Sequence, residues 1–382
     1  MINYGRQSID FRDLHAVRLV LKSNLLTQGP SVPAFEKAIA GKVEATHGVA
    51  FNSATSALHA ACLSLGVGKG DIVWTAAMSF VASANCALYC GAEVDFVDIE
   101  SDTGNISVTS LEDKLIAAEK TGRLPKVLIP VHFAGQPYEM KEVAALAKRY
   151  GFRVIEDASH ALGASYLGEP LGNGAYSDVT VFSFHPVKMI TTGEGGMCMT
   201  NSQEIAEKLN RIRSHGITRD PDKSRATVDG PWSYDQIELG YNYRLTDFQA
   251  ALGLSQLSRL DKFVSRRIEL AGIYDNLLAN SSWQPLESKS GRASSHHLYV
   301  IQNARGMDAR QEAYASLMEI GVAPNVHYRP IYRNTYYASM GKYNPQDYPG
   351  AEQYYASAIS IPLYFGLKKR DVKRIGLLLK NL

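Results

Sequence analysis

An acid at the end of one apolar run, and a lysine just past the next, offer more chemistry than any other pair in this chain. Arg153-Val154-Ile155-Glu156 ends at Asp157, and Ala158-Ser159-His160-Ala161 follows. Val179-Thr180-Val181-Phe182 leads into Ser183-Phe184-His185-Pro186-Val187-Lys188, with Thr191-Thr192-Gly193-Glu194-Gly195-Gly196 just after. A lysine amine can hold a carbonyl cofactor as a Schiff base and later carry a proton. A carboxylate can keep a pyridine nitrogen protonated, so that the ring draws electrons. Together Lys188 and Asp157 suit pyridoxal 5'-phosphate. A lysine alone in a glycine-rich loop is ordinarily a solvated charge, so the other residues must decide.

A phosphate-bearing cofactor needs an anion site. Asn52-Ser53-Ala54-Thr55-Ser56 follows an apolar run and opens a helical stretch. Ser53 suits an N-cap. The free N–H groups of Ala54 and Thr55, with nearby hydroxyls, suit a phosphate; plain capping is the simpler use of the same residues. Phe80 follows the end of Ile72-Val73-Trp74-Thr75 and is placed either to stack on a ring or to fill a core. His160 stands three residues past Asp157, so it points either at the same ring or at backbone carbonyls. Tyr328, Arg329, Tyr332 and Arg333 suit stacking and diphosphate pairing, and equally a tyrosine-rich surface loop. Other signatures fail. Gly66-Val67-Gly68-Lys69-Gly70 precedes a strand rather than a helix, and neither a P-loop nor a nucleophile elbow is present.

The elements that must position these residues are legible from about residue 45 to 200. Short apolar runs alternate with helical stretches: Val49–Phe51, then a helix from Thr55 to Leu65; Ile72–Thr75, then a helix to Tyr89; Val94–Val97, then a helix from about Ser110 to Glu119; Val127–Val131, then a helix from Met140 to Tyr150. Gly66, Gly91 and Gly151 stand where helix ends want a positive φ. Such alternation predicts an α/β fold with a mixed, mostly parallel sheet between helices. Ligands of such sheets sit beyond the C-terminal strand ends, where Ser53, Asp157 and Ser183 fall. One long helix is expected from about Asp247 to Leu278. Beyond it, Leu298–Ile301, Ala309–Gly321 and Tyr348–Ser357 read as a smaller α+β unit. The expected division is a large unit over 1–247, including an N-terminal arm, and a small one over 248–382.

With 382 residues, 45% hydrophobic and 20% charged, the composition is that of a globular protein. Forty basic against thirty-eight acidic residues leave a formal charge of +2, which asks for neither nucleic acid nor an anionic membrane. The run Lys368-Lys369-Arg370-Asp371-Val372-Lys373-Arg374 reads as a solvated helix face. No stretch is long and apolar enough to span a bilayer, and the start has no signal-peptide core. Cys62, Cys86, Cys90 and Cys198 lack the partners of a metal set, so no metal is expected. They read as small apolar residues in a reducing cytoplasm.

Several segments together are identified with a known family. They are Tyr4-Gly5-Arg6-Gln7-Ser8-Ile9, Leu26-Thr27-Gln28-Gly29-Pro30, Val131-His132-Phe133-Ala134-Gly135, the lysine segment with Ile190–Gly196, Arg213-Ser214-His215-Gly216-Ile217-Thr218-Arg219, and Gly240-Tyr241-Asn242-Tyr243-Arg244-Leu245. Across nearly the whole chain the sequence resembles the DegT/DnrJ/EryC1/StrS sugar-nucleotide aminotransferases, fold-type-I pyridoxal phosphate enzymes. The resemblance implies amino transfer from L-glutamate to C4 of a UDP-linked 4-keto sugar. It implies Lys188 as the Schiff-base lysine, Asp157 on the pyridine nitrogen and His160 near the ring hydroxyl, where many relatives carry Gln. Ser53, Ala54, Thr55 and Ser183 would hold the phosphate, and Phe80 would stack on the ring. Asn242 would reach the phosphate of a neighbouring subunit's cofactor, making the active unit a homodimer. Tyr4, the stretch Asn24, Leu25, Leu26 and Thr27, and the stretch His327, Tyr328, Arg329 and Pro330 would contact the nucleotide sugar. A sugar 3-dehydratase of the same fold would carry histidine in place of Lys188. A non-catalytic regulatory relative would not have every catalytic position filled.

Overall fold

The computed structural model describes residues 1–224, 226 and 230–382. Its centre is a seven-stranded sheet built from β1 (His47–Phe51), β2 (Ile72–Ala76), β3 (Glu93–Val97), β4 (Val127–Ile129), β5 (Arg153–Asp157), β6 (Val179–Ser183) and β7 (Gly196–Thr200). Their spatial order is β1-β7-β6-β5-β4-β2-β3. Only β7 runs against its neighbours; the pairs β6-β5, β5-β4, β4-β2 and β2-β3 are parallel. The expected α/β sheet is therefore present. One detail differs: Val131 lies beyond the end of β4 and makes a lone bridge to Asp157.

Side chains of successive strand residues face opposite ways, and the sheet uses that period to feed two cores. Val49, Val73, Val127, Ile155, Val181 and Cys198 enter one cluster. Ala50, Trp74, Leu128, Val154, Phe182 and Met197 enter the other. The first is covered by α3 (Ala54–Ser64), α4 (Ala82–Tyr89) and α7 (Gln203–Arg213). The second is covered by α2 (Ser31–Val43), α5 (Val108–Thr121), α6 (Met140–Tyr150) and α8 (Asp247–Leu257). Gly66, Gly91 and Gly151 take positive φ at the ends of α3, α4 and α6, as expected.

The single helix expected from Asp247 to Leu278 is two helices, α8 and α9 (Leu260–Leu278). The break falls at Ser258 and Arg259. Arg259 turns inward and pairs with Asp10 and the fully buried Asp13 of α1 (Phe11–Leu21). Ser255 and Gln256 donate to the same Asp13 carboxylate. A continuous helix would carry the guanidinium away from a charge that must be paired when buried.

A third apolar cluster begins at Leu270 of α9. It includes Trp283, Tyr299, Ile301, Ile359 and Ile361 from an antiparallel sheet of β8 (Trp283–Pro285), β9 (Tyr299–Asn303) and β10 (Ala358–Ile361). The helices α10 (Met307–Glu319) and α12 (Lys369–Lys380) add Leu317 and Ile375, while α11 (Pro349–Ser357) follows the chain into β10. The basic residues of α12 are exposed opposite its buried Val372, Ile375 and Leu379, the solvated face that was expected. At the other end, Ile2–Asn3 pairs in parallel with Val322–Ala323.

The segment before α2 is fixed by one carboxylate. Asp247 is fully buried and accepts from the N–H groups of Gly29 and Ser31, both at 2.7 Å. Asp247→Ala leaves one buried and one half-buried donor unpaired, so the variant should lose about 2–3 kcal/mol in urea unfolding. A variant as stable as the parent would show that the carboxylate does not hold this segment.

Candidate active site

Three parallel strands end together. Asp157 closes β5, Ser183 closes β6, and the chain leaving β1 turns at Asn52 and Ser53 into α3. Register aligns them: Val181 faces Asp157, Ser183 faces Gly196, and Gly196 faces Phe51. Gly196 carries a tight constraint. A Cβ there would lie 2.5 Å from the Ala54 nitrogen and the Ser53 oxygen, so the start of α3 rests directly on β7.

Ser53 is extended (φ −160°, ψ 161°), and its Oγ accepts from Ser56 N–H. It is therefore the cap that the sequence suggested. Capping leaves the N–H groups of Ala54 and Thr55 with no acceptor inside the helix. Ser183 is buried a short way along the same edge. This is a dipole-favoured anion cradle with hydroxyls beside it.

Lys188 follows on the loop after β6. Burial lowers its amine from 10.5 to about 8, and the nearby Asp157 carboxylate works in the opposite direction. Asp157 is itself buried. Its carboxylate accepts from Ser83 Oγ at 2.6 Å and from Ser159 N–H at 3.1 Å. Ser83, in the first turn of α4, was not singled out by sequence reasoning, since no local signal marks a helix serine that faces a strand end 74 residues away.

Histidine surrounds the amine. His160, His297 and His327 are all buried, and each has its pKa lowered first by burial and then by the Lys188 charge. His160 Nε2 lies 3.2 Å from the Tyr328 hydroxyl, and the two rings are near-parallel. His160 thus faces the site, not backbone carbonyls. Phe80 is exposed rather than a core residue, with its ring 6.1 Å from that of Tyr328. Tyr4 meets His327 edge-on at 4.7 Å. Tyr4, Phe80, His160, His327 and Tyr328 therefore form one aromatic wall beside Lys188 and Asp157.

The remaining candidates make other contacts. Asn24, Leu25, Leu26 and Thr27 are exposed, with Thr27 bridged to Thr246 and the Leu26 carbonyl accepting from Asp247 N–H. Asn242 is exposed and bridged to Ser214. Among the described residues no hydrogen bond, ion pair or ring contact joins these to the Lys188 group. Arg329 is exposed and Pro330 buried. Tyr332 and Arg333 do not serve as free diphosphate ligands: both bond the Glu352 carboxylate, and Tyr332 stacks on Tyr348. His297 was also missed. Among the described residues no group of histidine, cysteine and acidic side chains could hold a metal ion, and no helix is long and apolar enough to cross a membrane.

The residues fit pyridoxal phosphate on their own chemistry. A half-buried amine with a depressed pKa, a buried carboxylate and a helix start with free N–H groups converge at one sheet edge. Comparison with known proteins agrees. The model of the DegT/DnrJ/EryC1/StrS aminotransferase family matches residues 7–380. The chain is 39% identical over 376 residues to the UDP-4-amino-4,6-dideoxy-N-acetyl-beta-L-altrosamine transaminase of Campylobacter jejuni (strain 81-176), covering 98% of this chain and 95% of that one. It superposes on Helicobacter pylori PseC, an aminotransferase of pseudoaminic acid biosynthesis, with a TM-score of 0.91 at 33% identity, covering 100% of both chains. The pyridoxamine-phosphate form of the putative sugar aminotransferase Spr1654 from Streptococcus pneumoniae gives 0.90 at 29% identity, covering 100% of this chain and 98% of that one. The chain belongs to the DegT/DnrJ/EryC1/StrS aminotransferase family and is a pyridoxal-phosphate-dependent sugar aminotransferase.

Proposed function

We propose that this enzyme moves an amino group from L-glutamate to C4 of a UDP-linked 4-keto-6-deoxy-N-acetylhexosamine. The product would be UDP-4-amino-4,6-dideoxy-N-acetyl-beta-L-altrosamine, a step toward pseudaminic acid. The observation that carries the chemistry is the half-buried Lys188 amine, its pKa lowered to about 8, set beside the buried Asp157. The substrate rests on similarity to the Campylobacter jejuni and Helicobacter pylori proteins. Another nucleotide 4-keto or 3-keto sugar is the competing substrate, since the chain is also similar to a putative sugar aminotransferase of Streptococcus pneumoniae.

When bound, pyridoxal phosphate supplies an electrophilic carbon that accepts the amino group and a ring that draws electrons from the reacting carbon. In this proposal Asp157, held by Ser83 and Ser159, keeps its charge on the pyridine nitrogen. Ala54, Thr55 and Ser183 cradle the phosphate, and Phe80 lies against the ring. Lys188 first holds the cofactor and, once released, moves a proton to or from sugar C4. A pKa of about 8 suits that work: at pH 7.5 about a quarter of such amines are neutral, against about 0.1% of ordinary lysines.

The unit that acts would be a homodimer. Asn242 and the Asn24–Thr27 stretch are exposed, which leaves them free to serve a neighbouring subunit's site. Exposed Phe11, Leu14, Leu25 and Leu26 supply apolar area for such a contact. We take 1–247 and 248–382 as its two units, supported by the separate apolar cluster from Leu270 onward.

Pure protein with pyridoxal phosphate should absorb above roughly 400 nm and shift to about 330 nm on addition of L-glutamate. UDP-4-keto-6-deoxy-N-acetylhexosamine should restore the first band faster than other keto sugars. Lys188→Ala should lower turnover by at least about 10³-fold. A variant that still turns over, or a faster keto sugar of another class, would refute the corresponding half of the proposal.

Protonation offers a second check in the cofactor-free protein. Between pH 8 and 10.5 the folded chain holds Lys188 less protonated than the unfolded chain does. Its contribution to stability therefore rises with pH across that window. Lys188→Met lacks this dependence. Its stability advantage over the parent should shrink by about 3 kcal/mol from pH 8 to 10.5; an advantage that does not change with pH would contradict a depressed lysine.

A further inference from the structure

Three of the four cysteines, which the sequence offered only as small apolar residues, meet at one place. Cys62 lies in the last turn of α3. Cys86 and Cys90 stand one turn apart at the end of α4, with Cys90 as its C-cap. All three are free thiols in or against the apolar cluster that α3 and α4 cover. The Cys62 thiol hydrogen-bonds with those of Cys86 and Cys90. Cys198 Sγ donates instead to the Ala57 carbonyl. A metal is not the use of this group, since no set of histidine, cysteine and acidic side chains among the described residues could hold one.

Their surroundings differ. Cys62 and Cys86 are fully buried, whereas Cys90 is half-buried and within reach of solvent. His59, one turn before Cys62 on α3, stands beside Cys90. Its ring lies 5.6 Å from that of Tyr89, and its Nδ1 is 3.1 Å from the Tyr243 hydroxyl. The Cys62 thiol and then His59 lower Cys90 to about 6, although burial works the other way. The neighbouring Cys86 and Cys90 thiols, with burial, push Cys62 up. At neutral pH Cys90 is therefore the thiolate and Cys62 the thiol that donates to it. The thiolate is the reactive form of cysteine, and partial exposure lets a reagent reach it.

We propose that Cys90 is a site of oxidation by peroxide that closes a disulfide with Cys62. The Cys90 sulfur attacks one peroxide oxygen, and the O–O bond breaks. Hydroxide leaves, takes a proton from solvent and becomes water, and Cys90 is left as a sulfenic acid. The Cys62 sulfur then attacks that of Cys90, and the S–O bond breaks. The departing hydroxyl takes the Cys62 proton as a second water. Two thiols have lost two electrons, and one peroxide has gained them. The bond ties the end of α3 to the end of α4. Both helices begin at the Lys188 chamber, α3 with the free N–H groups of Ala54 and Thr55, α4 with Ser83 on Asp157. The bond thus joins two carriers of the site at their far ends.

The test treats the reduced full chain with equimolar hydrogen peroxide, for a time that leaves free cysteine largely unoxidised. Remaining thiols are alkylated, and the peptides are mapped by mass spectrometry without reduction. Tyr89 separates Cys86 from Cys90 in the sequence, so chymotrypsin tells the two apart. Two of the four thiols should disappear, with the Cys62 peptide joined to the Cys90 peptide, and dithiothreitol should restore both. Cys86→Ser should form the same bond. Cys90→Ser should lose thiols at least about tenfold more slowly. An unreacted parent, loss of one thiol without a cross-link, a bond from Cys62 to Cys86, or equal thiol loss in Cys90→Ser would overturn the proposal. The parent map alone decides if a variant does not fold. The result does not depend on the proposed function: a protein that takes up no pyridoxal phosphate would refute that function and leave the map standing.

Discussion

Placing an amine and a carboxylate in one buried chamber is costly, because each charged form loses its water. The protein meets that cost locally. Asp157 is held by Ser83 Oγ and Ser159 N–H, and Lys188 answers burial by giving up its proton more readily. Nearby histidines answer the same pressure by staying neutral. One chamber thus holds a poised base, a fixed negative charge and several uncharged imidazoles. Under the proposed function these are the acid–base tools of amino transfer.

The fold explains why they meet. Parallel strands all present their C-terminal ends to the same edge, so residues far apart in sequence arrive side by side. β7 breaks the parallel run, and the bare Gly196 lets α3 begin directly against it. That contact sets the height of the Ala54 and Thr55 N–H groups relative to Ser183. The C-terminal third then closes the chamber, bringing His297, His327 and Tyr328 over the strand ends.

The legible part of this architecture is the part carried by local pattern. Alternating strand residues and helix-ending glycines marked the elements from 45 to 200, strand ends flagged Ser53, Asp157 and Ser183, and the loop past the strand drew attention to Lys188. What stayed hidden depends on contacts between distant residues. The break at Arg259 answers a buried carboxylate at Asp13, with no helix-breaking residue in its own sequence. Ser83 looks like any small helix residue. Tyr332 and Arg333 have the chemistry of diphosphate ligands, and only the position of Glu352 shows that they are already engaged. His297 follows another histidine in a polar turn, and nothing within that turn distinguishes the ring that points inward from the one that does not.

The account depends on Lys188 being the residue that holds the cofactor. The most direct measurement is borohydride reduction of the pyridoxal-phosphate-loaded protein, followed by proteolysis and mass spectrometry of the peptides. The account predicts one phosphopyridoxyl adduct, on the peptide that spans Phe184 to Gly196, fragmenting at Lys188. An adduct on any other lysine, or none above the level seen with the Lys188→Ala variant, would contradict it.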